Sequence, residues 1–275
     1  MSNNTERSGM KDEELQQLCR EIRADIVRMI GRVKSGHPGG SLSCAEILAT
    51  LYFREMSANP ATPPGQRDKC VLCKGHAAPA LYAVLARRGY FPREELETLR
   101  RLGSRLQGHP DMKKTPGVDA STGSLGQGCS IAVGMALGAR LKGSAQRIFA
   151  VVGDGEMQEG QFWEAMMSAA HFGLTNLTVI LDHNGLQIDG ANDDVMNLGD
   201  IRAKLLAFGF DVIEVDGHDT IQLLDAYARK TDKPKFILAE TVKGKGVSFM
   251  ENQAGWHGKA PSADETEQAL AELEA

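Results

Sequence analysis

Two oxygen donors in this chain, Asp154 and Asn184, stand thirty positions apart, and each follows an apolar run. A carboxylate and an amide oxygen are hard ligands, suited to Mg²⁺ or Ca²⁺ rather than zinc. Two side chains are too few for an all-protein cage. Mg²⁺ commonly takes one or two protein ligands and completes its octahedron with phosphate oxygens and water. Asp154 sits within Gly153-Asp-Gly155, and glycines let a backbone approach a ligand closely. The chemistry indicated is a divalent metal bridging to a diphosphate. An aspartate in a turn and an asparagine capping a helix are common in their own right. The weight therefore falls on the spacing rather than on the Gly-Asp-Gly triplet.

That spacing has a structural meaning. Residues 147–152 and 177–181 are apolar runs of strand length, and 161–172 carries helical spacing between them. The pattern is strand, turn, helix, strand, turn, a βαβ unit. A right-handed crossover brings both turns to the same edge of a parallel sheet. Ligands of open α/β sheets bind at that carboxyl edge. Asp154 and Asn184 are thus expected to point into one site.

Histidine adds a second kind of chemistry. Four of the seven histidines lie in Gly- and Pro-rich stretches: His37 in Ser-Gly-His-Pro-Gly, His76 in Lys-Gly-His, His109 in Gln-Gly-His-Pro and His257 in His-Gly-Lys-Ala-Pro. Such settings indicate loops rather than a packed face. Imidazole is the side chain best matched to proton transfer near neutral pH. His171, His183 and His218 sit in no such motif and read as structural. Residues 123–128, Gly-Ser-Leu-Gly-Gln-Gly, precede an Ala- and Gly-rich stretch, 131–141. This reads as a glycine loop opening a buried helix, where free N–H groups favour an anion. A tight turn before a closely packed helix fits it equally.

The segment from Gly153 to Asn184 resembles the thiamine diphosphate signature. With the four histidine motifs and the glycine loop, in this order, residues 15–261 resemble the amino-terminal third to half of transketolase. That resemblance implies a doubly wound, mainly parallel α/β sheet with helices on both faces, the thiamine diphosphate-binding fold. It implies that Asp154, Asn184 and the carbonyl of Leu186 hold Mg²⁺, with Ca²⁺ or Mn²⁺ able to take its place. His37, His109 and His257 become the catalytic histidines lining the substrate channel. His76 and His257 reach the diphosphate of the cofactor. Gly126 approaches the same diphosphate, Leu125 lies against the cofactor, and Gly155, Asn184 and Ile188 complete its contacts. Glu159 follows as a residue facing its counterpart across a twofold axis, in a carboxylate network linking two active sites. An acid at a helix start also complements the helix dipole. The family more often has Pro at the position of Ser124 and Ser at that of Cys73; neither change removes a group that the chemistry needs.

The activity implied is transfer of a two-carbon ketol unit from a ketose, as a sugar or sugar phosphate, to an aldose. No glutamate here matches the one that family members supply to the cofactor's pyrimidine ring, and the arginines that hold a sugar phosphate's far end are also missing. The resemblance therefore implies that residues 1–275 form the single diphosphate-binding domain of a split transketolase. A second polypeptide is expected to carry the pyrimidine-binding and carboxy-terminal domains, in an α2β2 heterotetramer. The pathway stays open between pentose phosphate metabolism and a specialised sugar-degradation route, including branched or sulfonated sugars. Two other readings remain. The alpha chain of a 2-oxo acid dehydrogenase shares the metal signature but not the histidine motifs. A non-catalytic cofactor-binding module is disfavoured by the intact histidines.

Composition agrees. With 275 residues and 42% hydrophobic content, one large α/β domain can bury an ample core. A net charge of −5 argues against non-specific nucleic-acid binding. Residues 1–14 carry both charges and no apolar stretch, unlike a secretory signal, and no apolar run reaches membrane-spanning length. Five cysteines, an odd number, suggest reduced thiols and a cytoplasmic location. The lone Cys70-Val-Leu-Cys73 fits a buried strand better than a zinc site. Helices are expected over 15–33, 44–53, 78–85, 93–102 (exposed), 201–208 and 221–227, with strands over 210–215 and 236–239. Residues 59–65 read as a Pro-rich surface loop, and 263–275 as an acidic helix or frayed tail. Residues 242–246, Val-Lys-Gly-Lys-Gly, read as a flexible basic stretch, either a lid or a surface loop.

Overall fold

A computed structural model describes residues 9–274; the first eight residues of the amino-terminal stretch and Ala275 lie outside the described residues. In chain order the elements are α1 (Asp12–Val33), α2 (Pro38–Leu42), α3 (Ala45–Thr50), β1 (Lys69–Leu72), α4 (Ala78–Arg87), α5 (Gln127–Leu141), β2 (Ile148–Gly153), α6 (Gly160–His171), β3 (Leu177–His183), β4 (Leu186–Gln187), β5 (Gly190–Ala191), α7 (Asn192–Met196), α8 (Ile201–Phe208), β6 (Asp211–Asp216), α9 (Thr220–Ala228), β7 (Lys235–Glu240) and α10 (Ala263–Glu274). Five strands form one parallel sheet in the order β1-β2-β3-β7-β6. β4 and β5 make a small antiparallel hairpin.

Side-chain alternation along the strands explains why helices cover both faces. Phe149, Val151, Ile180, Ile237 and Ala239 point into a core shared with α1, α3, α4 and α9. Ile148, Ala150, Val152, Val179, Leu181, Phe236 and Leu238 point into the opposite core with α5 and α6. Strands buried on both sides read as continuous apolar runs, which is how β2 and β3 stand in the sequence. The doubly wound architecture is as expected. Because all five strands are parallel, their carboxyl ends share one edge.

One local reading changes and two are refined. The helix expected over 93–102 is a short 3₁₀ segment, Arg93–Thr98. The Thr98 hydroxyl donates to the Glu95 carbonyl, and Arg100 then adopts a left-handed backbone, φ 58°. The helix expected over 44–53 is α3, which widens into a π-helical turn at Leu51–Glu55. Residues 263–274 are an ordered helix packed on α1, with Ala269 and Leu273 buried. Among the described residues no helix is long and apolar enough to cross a membrane.

Candidate cofactor and active site at the carboxyl edge

β2 ends at Gly153 and delivers Asp154; β3 ends at His183 and delivers Asn184. Backbone amides tie the two turns together. Asp154 Oδ2 accepts from the N–H of Asn184 at 3.0 Å and of Gly185 at 2.6 Å, and Oδ1 accepts from Gly155 at 2.9 Å. Asn184 Oδ1 accepts from the N–H of Leu186 at 3.3 Å. The pair read from spacing thus meets in one place. Asp154 is 3% exposed. Burial pushes its carboxyl above the usual range, and nearby Asp182 pushes it further. Among the described residues no cation pairs with Asp154, because the adjacent Lys74 is taken by Asp182. A buried carboxylate in no ion pair, next in the fold to the Asn184 amide and to the Leu186 carbonyl that also accepts from Lys243, suits a hard dication. Among the described residues no three His, Cys, Asp or Glu side chains gather as a complete metal cage.

Behind the pair lies a buried polar network that the sequence reading did not single out. Asp182 binds Lys74 and accepts from the hydroxyls of Ser43 at 2.6 Å and Thr241 at 2.5 Å. Lys74 also donates to the Gly40 carbonyl at 2.7 Å. Asn184 Nδ2 donates to Asp182 Oδ2 at 3.4 Å. That contact assigns the nitrogen end of the amide and leaves the oxygen on the other side. Glu156, also buried, accepts from the N–H of Gly126 at 3.0 Å and of Gly153 at 3.3 Å. It locks the glycine loop to the Asp154 turn. Burial, against those two bonds, raises its carboxyl to about 7.

The stretch expected to be flexible is part of the site. Lys243 is 2% exposed, and its Nζ donates to the Leu186 carbonyl and to His257 Nδ1, both at 3.0 Å. Burial brings its ammonium down to about 8; Asp154 and Asp182 oppose that fall and Lys74 adds to it. Its backbone is held too. Val242 N–H donates to His218 Nε2 at 2.8 Å, while His218 Nδ1 meets Glu46 at 2.9 Å, and Gly244 N–H donates to the Gly39 carbonyl at 3.0 Å. The legible signal was position: a lysine just past the carboxyl end of a strand and upstream of a motif histidine.

His37, His76 and His257 form a triangle, with ring centroids 5.3, 5.4 and 5.0 Å apart. Lys243 donating to His257 Nδ1 leaves that ring's proton on Nε2. His37 Nδ1 is buried without a protein partner. Burial, with Lys243 and His37 nearby, lowers His257 to about 3. Burial, Arg100, His109 and Lys243 lower His37 to about 4, and burial beside Lys74 takes His76 well below its ordinary value. All three are neutral at pH 7. His109 is exposed and stands against Gly123; burial and Arg100 lower it as well.

The glycine loop has the close approach that its composition suggested. Gly126 has φ +82°, and a Cβ there would lie 2.8 Å from Glu159 Cβ. Leu125 and Gly155 are half-buried, and Ile188 is 64% exposed on the β4–β5 hairpin. Glu159 is exposed at the N-cap of α6 and makes no side-chain capping bond. His183 pairs with Glu240, and His171 meets Phe172 edge to face.

Known proteins are similar to this chain along most of its length. Residues 14–274 match the family described as "Transketolase, thiamine diphosphate binding domain". A 6-deoxy-6-sulfo-D-fructose transketolase subunit of Clostridium sp. (strain MSTE9) is 45% identical over 265 residues, covering 95% of this chain and 96% of its own. An apulose-4-phosphate transketolase subunit of Phocaeicola vulgatus is 39% identical, covering 96% and 95%. Human transketolase is 40% identical over 94% of this chain but only 42% of its own length. The crystal structure of Campylobacter jejuni transketolase superposes with a TM-score of 0.90 at 31% identity, covering 96% of this chain and 43% of that one. The chain belongs to the transketolase family, in which it corresponds to the thiamine diphosphate binding domain.

Proposed function

We propose that this chain is the diphosphate-side subunit of a two-chain, thiamine diphosphate-dependent transketolase, and that Mg²⁺ links the cofactor to it. The observation that carries this reading is the meeting of Asp154 and Asn184 at one sheet edge, beside the triangle of neutral histidines. Asp154, Asn184 and the Leu186 carbonyl would hold the metal. His76, His257, Gly126, Gly155 and Lys243 would hold the diphosphate, with Leu125 and Ile188 against the rings. When bound, thiamine diphosphate supplies the carbanion chemistry that breaks and remakes a carbon–carbon bond.

The chain's own residues bind, orient and move protons. The His257 Nε2–H is a donor toward a substrate oxygen, because Lys243 occupies Nδ1. His37 and His109, held neutral, are acceptors for substrate hydroxyl protons. Glu159, at the start of α6, would join a second copy across a twofold axis. Relatives of full-length match are named as subunits, which supports a partner chain carrying the pyrimidine-binding half in an α2β2 assembly. Their named substrates bear a sulfonate or a phosphate, which supports an anionic ketose as donor, its far end read by the partner. Five free, buried cysteines support a reducing, cytoplasmic setting.

Titration of the mixed two-chain complex with thiamine diphosphate, with and without Mg²⁺, tests the binding half of this reading. Binding should require the metal, vanish with chelator and return on Mg²⁺ addition. Asp154→Ala and Asn184→Ala should each weaken it at least roughly tenfold. Metal-independent binding, unaffected by either change, would refute the assignment.

A further inference from the structure

Arg100 belongs to none of the site motifs, yet it touches two of them. Its Nη1 donates to Ser35 Oγ at 3.1 Å, two residues before His37, and its Nη2 donates to the Gly108 carbonyl at 3.4 Å, one residue before His109. Among the described residues it has no carboxylate partner, and its Nε is buried without a hydrogen bond. The backbone is arranged to place it. Arg100 has φ 58°, a left-handed conformation that a bulky residue rarely adopts, and its N–H donates to the Leu106 carbonyl at 2.8 Å. Gly108 leaves the room: a Cβ there would lie 2.9 Å from the guanidinium carbon.

We propose that Arg100 is a positioning residue for the histidine cluster, its guanidinium clamping the turn before His37 to the turn before His109. The clamp also brings a fixed, unneutralised charge beside both rings. Around His37 stand Arg100, His109, Lys243, His76 and His257, and among the described residues no carboxylate is among the main charges acting on it. Around His109 stands Arg100, with the Tyr82 hydroxyl on its carbonyl. Burial is the larger cause of neutrality at both rings, and Arg100 is the largest charge effect at each. The residue therefore fixes where the two imidazoles stand and keeps them free to accept protons. The catalytic consequence rests on the transketolase reading; the clamp itself does not.

Three variants of the full chain separate these parts: Arg100→Met, Arg100→Lys and Ser35→Ala. Histidine side-chain NMR titrations of the isolated chain read the charge. Arg100→Met should move the His37 and His109 midpoints up by roughly one pH unit, and Arg100→Lys should keep them near wild type. His257, set by burial, Lys243 and His37 rather than by Arg100, should move less. In the mixed complex, Arg100→Met should lose about tenfold in kcat/KM, with its acid limb displaced to higher pH and thiamine diphosphate affinity unchanged. Ser35→Ala should lose activity without moving the midpoints. It and Arg100→Lys carry the test if Arg100→Met does not fold. Unmoved midpoints in a folded Arg100→Met chain, or wild-type kinetics in Ser35→Ala and Arg100→Lys alike, would overturn the proposal. Shifted midpoints in a complex that transfers no ketol unit would uphold the clamp and reject the transketolase reading.

Discussion

Lys243 is the residue on which the site's electrostatics turn. It is buried against the Leu186 carbonyl and the His257 ring, and an anion brought to the Asp154 turn would meet its ammonium. Charge-assisted hydrogen bonds are worth about 1.5–3 kcal/mol, so Lys243→Ala should weaken thiamine diphosphate binding roughly 10- to 100-fold. Lys243→Arg should recover only part, since a planar fork does not replace a point charge. Calorimetric titration of the two-chain complex checks both. The histidines make a second residue-level prediction with a definite sign. His37 and His257 titrate at about 4 and about 3 in the folded chain, against about 6.5 when unfolded. Between those values the unfolded state binds more protons, so stability is full above about pH 6.5 and falls as the pH drops toward 4. Urea denaturation midpoints across that range should show the decline, and a His257→Asn variant should flatten it. A profile flat from pH 7 to 4 in the wild type would contradict the burial of these rings.

At the scale of elements, the site is an agreement between turns that are far apart in sequence. Gly75 packs so closely that a Cβ there would lie 2.8 Å from the Gly123 amide nitrogen. Gly75→Ala must therefore push the Lys-Gly-His turn off the glycine loop. The cost should be about 1–3 kcal/mol, read from urea denaturation, with weaker cofactor binding at temperatures where the variant stays folded. The segment after β7 is latched by Glu46, His218 and the Val242 amide. His218→Ala should speed hydrogen exchange at Val242 and weaken cofactor binding; unchanged exchange would show that the latch is not needed. Much of this was legible in sequence where periodicity is strong: the runs that became β2, β3 and β7, and the βαβ unit that brought Asp154 to Asn184. The basic stretch at 242–246 was not, because a Gly- and Lys-rich segment has no periodicity to show that its lysine turns inward. Arg93–Thr98 misled for the opposite reason. It has helical composition, but a competing hydroxyl and a left-handed Arg100 stop it after one short segment.

For the whole molecule, the sheet explains the site's one-sidedness. Every strand of the main sheet is parallel, so the turns after β1, β2, β3 and β7, which carry His76, Asp154, Asn184 and Lys243, leave the same edge, and the loops bearing His37, His109 and His257 gather around it. Large apolar side chains stand exposed nearby, Ile188 at 64% and Met196 at 59%, on the hairpin and helix that follow Asn184. A partner that completes the cofactor site should bury them, and Ile188→Asp should weaken association of the two chains measured by light scattering. The histidine motifs told transketolase from other thiamine diphosphate proteins at the level of sequence. The network of Lys74, Asp182, Ser43 and Thr241 could not be read there, since its members come from four separate elements.

The most direct measurement is ketol transfer by this chain mixed with a second polypeptide bearing the pyrimidine-binding half, with thiamine diphosphate and Mg²⁺ present. Xylulose 5-phosphate, apulose 4-phosphate and 6-deoxy-6-sulfo-D-fructose would each be offered as donor with an aldose phosphate acceptor. Transfer from at least one donor by the mixture, and none by either polypeptide on its own, is the expected result. A mixture that binds the cofactor yet transfers from no ketose, or that instead releases carbon dioxide from pyruvate, would contradict the transketolase reading.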